Sequence, residues 1–176
     1  KLRRDHPAAG HAAQFIVRYV LEFSDILRGI CYGLHPVMLE RFGLSEAAEQ
    51  YVNEFRKRSS QPVHSHIECI RPQDLPAEVA LCFYRVLQEG LTNAARHAGP
   101  CRISVVLERE GDGIVLKISD TGRGYGPRET HGGLGLAGMK ERAASCGANL
   151  RLFSRPGDGA TIQLTYLLCS TQGGNS

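Results

Sequence analysis

Three side chains capable of acid–base or metal chemistry recur four residues apart in the middle of the chain: Glu89, Asn93 and His97. On a helix, spacing of i, i+4 and i+8 stacks them in one row along a single face. Such a row suits a site for a metal and a nucleotide. The amide oxygen of Asn93 can ligate a hard cation such as Mg2+, the Glu89 carboxylate can orient or deprotonate a hydroxyl or water, and the His97 imidazole can donate to a phosphate oxygen. Spacing alone favours a solvated polar stripe opposite the apolar residues Val79, Phe83, Val86 and Leu91, and Arg85, one turn earlier, fits either role.

Two glycine-rich segments follow. Asp120-Thr121-Gly122-Arg123-Gly124 stands directly after the alternating run Ile114 to Ile118. A carboxylate at a strand end can accept a hydrogen bond from an exocyclic amine, and the glycines let a flat base approach the backbone. The same five residues could also serve an ordinary hairpin turn. Gly132-Gly133-Leu134-Gly135-Leu136 then opens a helix, offering backbone N–H groups and a positive helix end to phosphates, although alone it also fits a flexible turn. His64 and His66 share one strand face, but with no third ligand evident nearby a metal is not expected there.

These residues need a frame. Ahead of them, apolar residues fall at Ile16, Val20, Phe23, Leu27, Ile30 and Leu34, which predicts a helix with one continuous seam for a partner helix or for its own domain's core. Pro36 is expected to end it. A second helix is predicted from Ser45, a good N-cap, to Arg56-Lys57-Arg58, whose charge suits a helix C-terminus. Alternation over Pro62 to Ile70 predicts a half-exposed strand. Leu75-Pro76 opens a long helix reaching Ala98 and ended by Gly99-Pro100. Ile103 to Leu107 and Ile114 to Ile118 predict strands joined through a Gly-Asp-Gly turn; Leu150 to Phe153 and Thr161 to Leu168 predict a second pair. A helix from Leu136 to Cys146, closed by Gly147, falls between the pairs. This order predicts an α+β chain with helices layered on one face of a mixed, largely antiparallel sheet.

Composition narrows the partners. The net charge of +3 is modest, and Lys and Arg are scattered rather than gathered into an aromatic-interleaved stripe, so nucleic acid is not an expected partner. A phosphate-bearing ligand remains compatible. The six cysteines, Cys31, Cys69, Cys82, Cys101, Cys146 and Cys169, include no C-x-x-C pair, and most are expected to be reduced core thiols in a cytoplasmic protein. No apolar run approaches the roughly 20 residues that span a bilayer, so any membrane segment is expected outside this stretch. Thr171 to Ser176 reads as a frayed, disordered tail.

In order and together, the chemical segments resemble a known set. Gln88 to Ala98, with Glu89, Asn93 and His97, closely resembles the N box of histidine-kinase ATP-binding domains. Asp120 to Gly124 resembles their first glycine box, and Gly133 to Arg142 the second. Gly159-Ala160-Thr161 looks like the Thr-bearing strand start that completes the adenine pocket. The resemblance runs from Leu34 to Leu168 and implies the Bergerat fold, a two-layer α/β sandwich shared by histidine kinases, Hsp90, DNA gyrase and MutL-type ATPases. It implies ATP and Mg2+ as ligands and phosphoryl transfer to a histidine as the reaction. By the same resemblance, Asn93 would hold Mg2+, Glu89 would act as base on the acceptor imidazole or support the metal indirectly, and His97 would touch phosphate. Asp120 would receive the adenine amine, with Gly122, Gly124 and Thr161 shaping its pocket, while Gly133, Leu134, Gly135 and Leu136 would form the phosphate loop.

The glycine boxes are separated only by Tyr125 to Gly132, and Leu34-His35-Pro36 with Leu39 and Gly43-Leu44 resembles the end of the dimerisation hairpin in kinases of the nitrate-sensor and desaturase-regulator type. That resemblance implies residues 1–42 as the C-terminal part of the hairpin, residues 43–170 as the catalytic domain, a homodimer through the hairpin, and a response regulator as partner. In this kinase type the acceptor histidine is directly followed by an acidic residue. His6, His11 and His35 are followed by Pro7, Ala12 and Pro36, so the acceptor is expected upstream of Lys1. A nucleotide-binding pseudokinase and an anti-sigma-factor serine kinase of the same superfamily are the competing readings. Intact Glu89, Asn93 and Asp120 weigh against the first, and the seam helix against the second.

Overall fold

The computed structural model describes residues 37–126 and 134–168. The seam helix, His35-Pro36, Gly132-Gly133 and the tail lie outside the described residues. Helix α1, Val37–Arg58, is bent at Gly43, whose φ of 81° favours glycine and whose Cβ, if present, would stand 2.9 Å from the Pro72 ring. Leu39 before the kink and Leu44, Ala47, Ala48 and Val52 after it enter one core.

The helix expected from Ser45 does begin there, directly after the non-helical Gly43 that separates it from the turns starting at Val37, but the serine does not cap it. Its hydroxyl donates to the Glu68 carbonyl and accepts from the Ile70 amide, both at 2.8 Å. Those two backbone groups lie beyond the end of a strand, and orphaned backbone groups compete strongly for any nearby hydroxyl. Arg56 likewise clamps the next strand, donating to the Val63 carbonyl at 2.9 Å and the Ser65 hydroxyl at 2.6 Å.

Strand β1, Val63–Ile67, is shorter than the alternation suggested, because the chain turns inward at buried Ile70 while Cys69 is exposed. A short 3-10 turn, Pro72–Asp74, leads to helix α2, Ala77–His97. Asp74 pairs with Arg71 at 3.0 Å and with Arg109 at 2.6 Å, and the Arg71 guanidinium, followed by that of Arg109, holds its carboxyl below the usual carboxylate range. Strands β2, Ile103–Glu110, and β3, Gly113–Asp120, form a hairpin. Helix α3, Leu134–Ser145, precedes β4, Asn149–Arg155, and β5, Gly159–Leu167.

The five strands form one sheet in the order β1-β2-β3-β5-β4, with β1 parallel to β2 and every other pairing antiparallel. This is the α+β, two-layer arrangement expected from the element order. Ile103, Val105 and Leu107 of β2, Ile114, Leu116 and Ile118 of β3, and Ile162 and Leu164 of β5 are buried together with Val79, Phe83, Val86, Leu87 and Leu91 of α2. Of the four described cysteines, all free, Cys82 is buried in the core, Cys101 and Cys146 are half-buried and packed against it, and Cys69 is exposed. Among the described residues, no helix is long and apolar enough to cross a membrane.

Candidate nucleotide-binding site

Helix α2 supplies one wall. Its apolar stripe lies on the sheet, and Gly90 sits where a Cβ would come within 2.5 Å of the Ile118 side chain. Glycine inside a helix costs about 1 kcal/mol relative to alanine, so its place here follows from the close approach of β3. Asn93 and His97, one and two turns beyond Glu89, line a cleft of about 600 Å3 together with Gly90 and Ala94. That volume suits a small-molecule ligand. Glu89 stands beside the cleft, half-buried, with its carboxylate against the backbone of Gly135.

The opposite wall comes from the end of β3. Asp120 is the only carboxylate among the described residues that line the cleft. The Gly122 amide donates to its Oδ1 at 2.9 Å, which fixes the carboxylate and engages one of its two oxygens. Apolar Ile118, Met139, Leu152 and Ile162 surround it. Such a setting recognises a flat base through one polar edge and apolar faces.

Backbone contacts hold this loop. Thr121 N donates to the Arg102 carbonyl at 3.0 Å, Arg123 N to the Ala98 carbonyl at 3.0 Å, and Gly157 N to the Arg123 carbonyl at 2.7 Å. A Cβ on Gly122 would collide with the Ala98 backbone, one on Gly124 with the Arg155 carbonyl, and one on Gly159 with the Asp120 carbonyl. Gly124 and Gly159 also have φ of 58° and 78°, in the left-handed region. Three glycines thus interlock the turn after β3 with the β4–β5 turn and the end of α2.

Sequence reasoning missed several lining residues, among them Tyr125, Leu152, Pro156 and Ala160. Tyr125 is placed by Ser154, whose Oγ accepts from the Tyr125 amide and donates to the Gly159 carbonyl, both at 2.9 Å. Burial and then the nearby Asp120 charge raise the pKa of the Tyr125 phenol, and the same two causes raise that of the Cys101 thiol. The expectation for Thr161 needs correction. Its hydroxyl meets that of Ser119 at 2.9 Å on the neighbouring strand, and Ala160, paired with Asp120, lines the cleft instead. The strict alternation of a strand made this legible: Ile162 is buried against α2, so Ala160 shares its face and Thr161 takes the other.

Gly124, Gly135 and Leu136 line the cleft, the Gly122 amide binds Asp120, and Gly133 falls outside the described residues. Leu134 begins α3. Residues 78–169, just over half of the chain, match the family described as histidine kinase-, DNA gyrase B- and HSP90-like ATPases. The chain belongs to this family. It is 31% identical over 138 residues, 77% of its length, to the signal transduction histidine-protein kinase/phosphatase DegS of Brevibacillus brevis. It is also 31% identical over 144 residues, 81% of its length, to the sensor histidine kinase LiaS of Bacillus subtilis. The matches span 35% and 39% of those two proteins, so the chain corresponds to little more than a third of their length. The fold is similar to that of the blue-light activated histidine kinase of Erythrobacter litoralis EL346, with a TM-score of 0.60 at 21% identity over 74% of this chain and 42% of that one. The chain is an ATP-binding catalytic core of the histidine-kinase type.

Proposed function

We propose that this core transfers the γ-phosphoryl group of ATP to a histidine on a helical dimerisation domain, for relay to an aspartate of a response regulator. The observation that carries the reading is one cleft lined together by Asn93 and His97 of α2, Asp120 of β3, and Gly135 and Leu136 at the start of α3. Asp120 receives the adenine amine, and the Asn93 and His97 end takes the phosphates. Phosphoryl transfer demands positioning and charge neutralisation more than covalent chemistry, and these side chains with the α3 N-terminus supply both.

Mg2+ fits the donor set at the phosphate end. Asn93 offers a neutral hard oxygen, and Mg2+ keeps several waters and phosphate oxygens, so one protein ligand with the Glu89 carboxylate nearby suffices. Bound there, it would neutralise charge on the phosphates. Glu89 acts as the base on the incoming imidazole. In keeping with the nitrate-sensor and desaturase-regulator resemblance, residues 1–42 are assigned to the dimerisation hairpin, residues 43–170 to the catalytic domain and the whole to a cytoplasmic homodimer.

Titration with Mg-ATP tests the binding half: saturable binding that GTP displaces poorly is expected, and absence of binding heat at millimolar nucleotide overturns the reading. For the chemical half, this chain alone with labelled ATP is expected to gain little acid-labile phosphate, and a hairpin carrying the acceptor histidine to become labelled when added. Loss of labelling of the chain itself on His35→Ala would make His35 the acceptor and refute the assignment.

A further inference from the structure

We propose that Gly135 is a positioning residue for Glu89: by carrying no side chain it admits the Glu89 carboxylate against the first turn of α3, and this contact sets where the base stands. The inference rests on the reading of Glu89 as base and adds a residue that controls it.

The geometry separates Gly135 from the glycines that hold the loop after β3. A Cβ at 135 would overlap Glu89 Oε1 and come within 2.9 Å of its Cδ and 3.6 Å of its Cγ. At Gly122, Gly124 and Gly159 the nearest obstacle is backbone, whereas here it is the far end of one flexible side chain. Gly135 also has no positive φ and stands in the first turn of a helix, where alanine is accepted as readily. Backbone conformation therefore gives no reason for glycine at this position. What remains is space: the Glu89 carboxylate occupies it, and Gly135 also borders the cleft. The helix start favours that occupant, since its free N–H groups and positive end attract a carboxylate. Glu89 is thereby wedged between α2, which carries it, and α3, whose start borders the cleft beside Asn93 and His97.

The consequence is a link between the phosphate-side helix and the base. A displacement of the carboxylate by about 1 Å suffices to slow a positioned reaction strongly. Alanine at 135 need not unfold the chain; it pushes the carboxylate aside. Aspartate at 89, one methylene shorter, leaves room for the new methyl group.

The test uses the full-length kinase with its acceptor, comparing wild type, Gly135→Ala, Glu89→Asp, Glu89→Gln and the double variants for ATP affinity and single-turnover transfer. Gly135→Ala is expected to slow transfer at least about tenfold more than it weakens ATP binding. In the Glu89→Asp background the added methyl is expected to slow transfer far less, and in the Glu89→Gln background hardly at all, because the two positions act as one unit. Melting temperature gives a readout independent of activity: with Glu89→Ala the added methyl of Gly135→Ala should raise it, and with Glu89 intact it should not. Equal slowing by Gly135→Ala in all backgrounds, or a loss of ATP affinity as large as the loss of rate, overturns the positioning role and leaves Glu89 as base. Unchanged transfer in Glu89→Gln overturns the reading of Glu89 itself, and the positioning role with it.

Discussion

The two ends of the cleft are built in different ways. At the base end, Asp120 is fixed by its own loop, and that loop is held by backbone hydrogen bonds to Ala98, Arg102 and Gly157 and by glycines with no room for a Cβ. At the end assigned above to the phosphates, Glu89, Asn93 and His97 project as side chains from one continuous helix, and the close contact there is between a carboxylate and Gly135. The first is rigid because backbone touches backbone; the second can adjust, because rotatable side chains do the work. Recognition of an invariant base needs the former, while transfer between changing partners tolerates the latter.

Glu89→Gln should show the largest effect, cutting the transfer rate by about a hundredfold or more while ATP affinity stays within about threefold, since a base contributes in the transition state. Rates and affinities that fall together would mean that this end binds rather than reacts. Gly159→Ala should lower stability by about 3 kcal/mol or more, since it adds a positive-φ penalty to a backbone collision. Urea denaturation checks it, and a loss under about 1 kcal/mol would show that the base end is not interlocked.

Asp120→Asn should weaken ATP by about 1 to 3 kcal/mol, measured by calorimetry, without a comparable loss of stability. Should GTP then compete as well in wild type as ATP does, the carboxylate has been given the wrong partner. Smallest is Thr161→Val, which removes the partner of Ser119 and should cost about 1 kcal/mol of stability or less while leaving ATP affinity intact. A drop in affinity there would bring the hydroxyl back into the site.

Much of the architecture was legible because it repeats locally. The row Glu89, Asn93, His97 and the apolar stripe beneath it follow from helical period, and the hairpin through Gly111 and Asp112 from turn chemistry. Ser45 was misread for a reason that local rules cannot supply: a serine before an apolar run is a good cap, but Glu68 and Ile70 claimed its hydroxyl. Thr161 was misplaced by one residue of strand parity, and only the burial of Ile162 settles which face looks into the cleft.

The sequence by itself determined which chemical groups exist and which share a helix row or a strand end, because period is a property of the covalent chain. It determined Asp120 at a strand end and Asn93 and His97 on one face. Tertiary structure alone decided that these meet in one cleft, that Tyr125 and Ala160 join them, and that Gly122, Gly124 and Gly159 must be glycine because particular carbonyls stand against them. It decided too that Gly135 faces a carboxylate 46 positions earlier in the chain (135 − 89). The physical reason is that clearance between two backbones, or between a backbone and a distant side chain, is set by how the sheet and helices pack, and no window of neighbouring residues contains that distance.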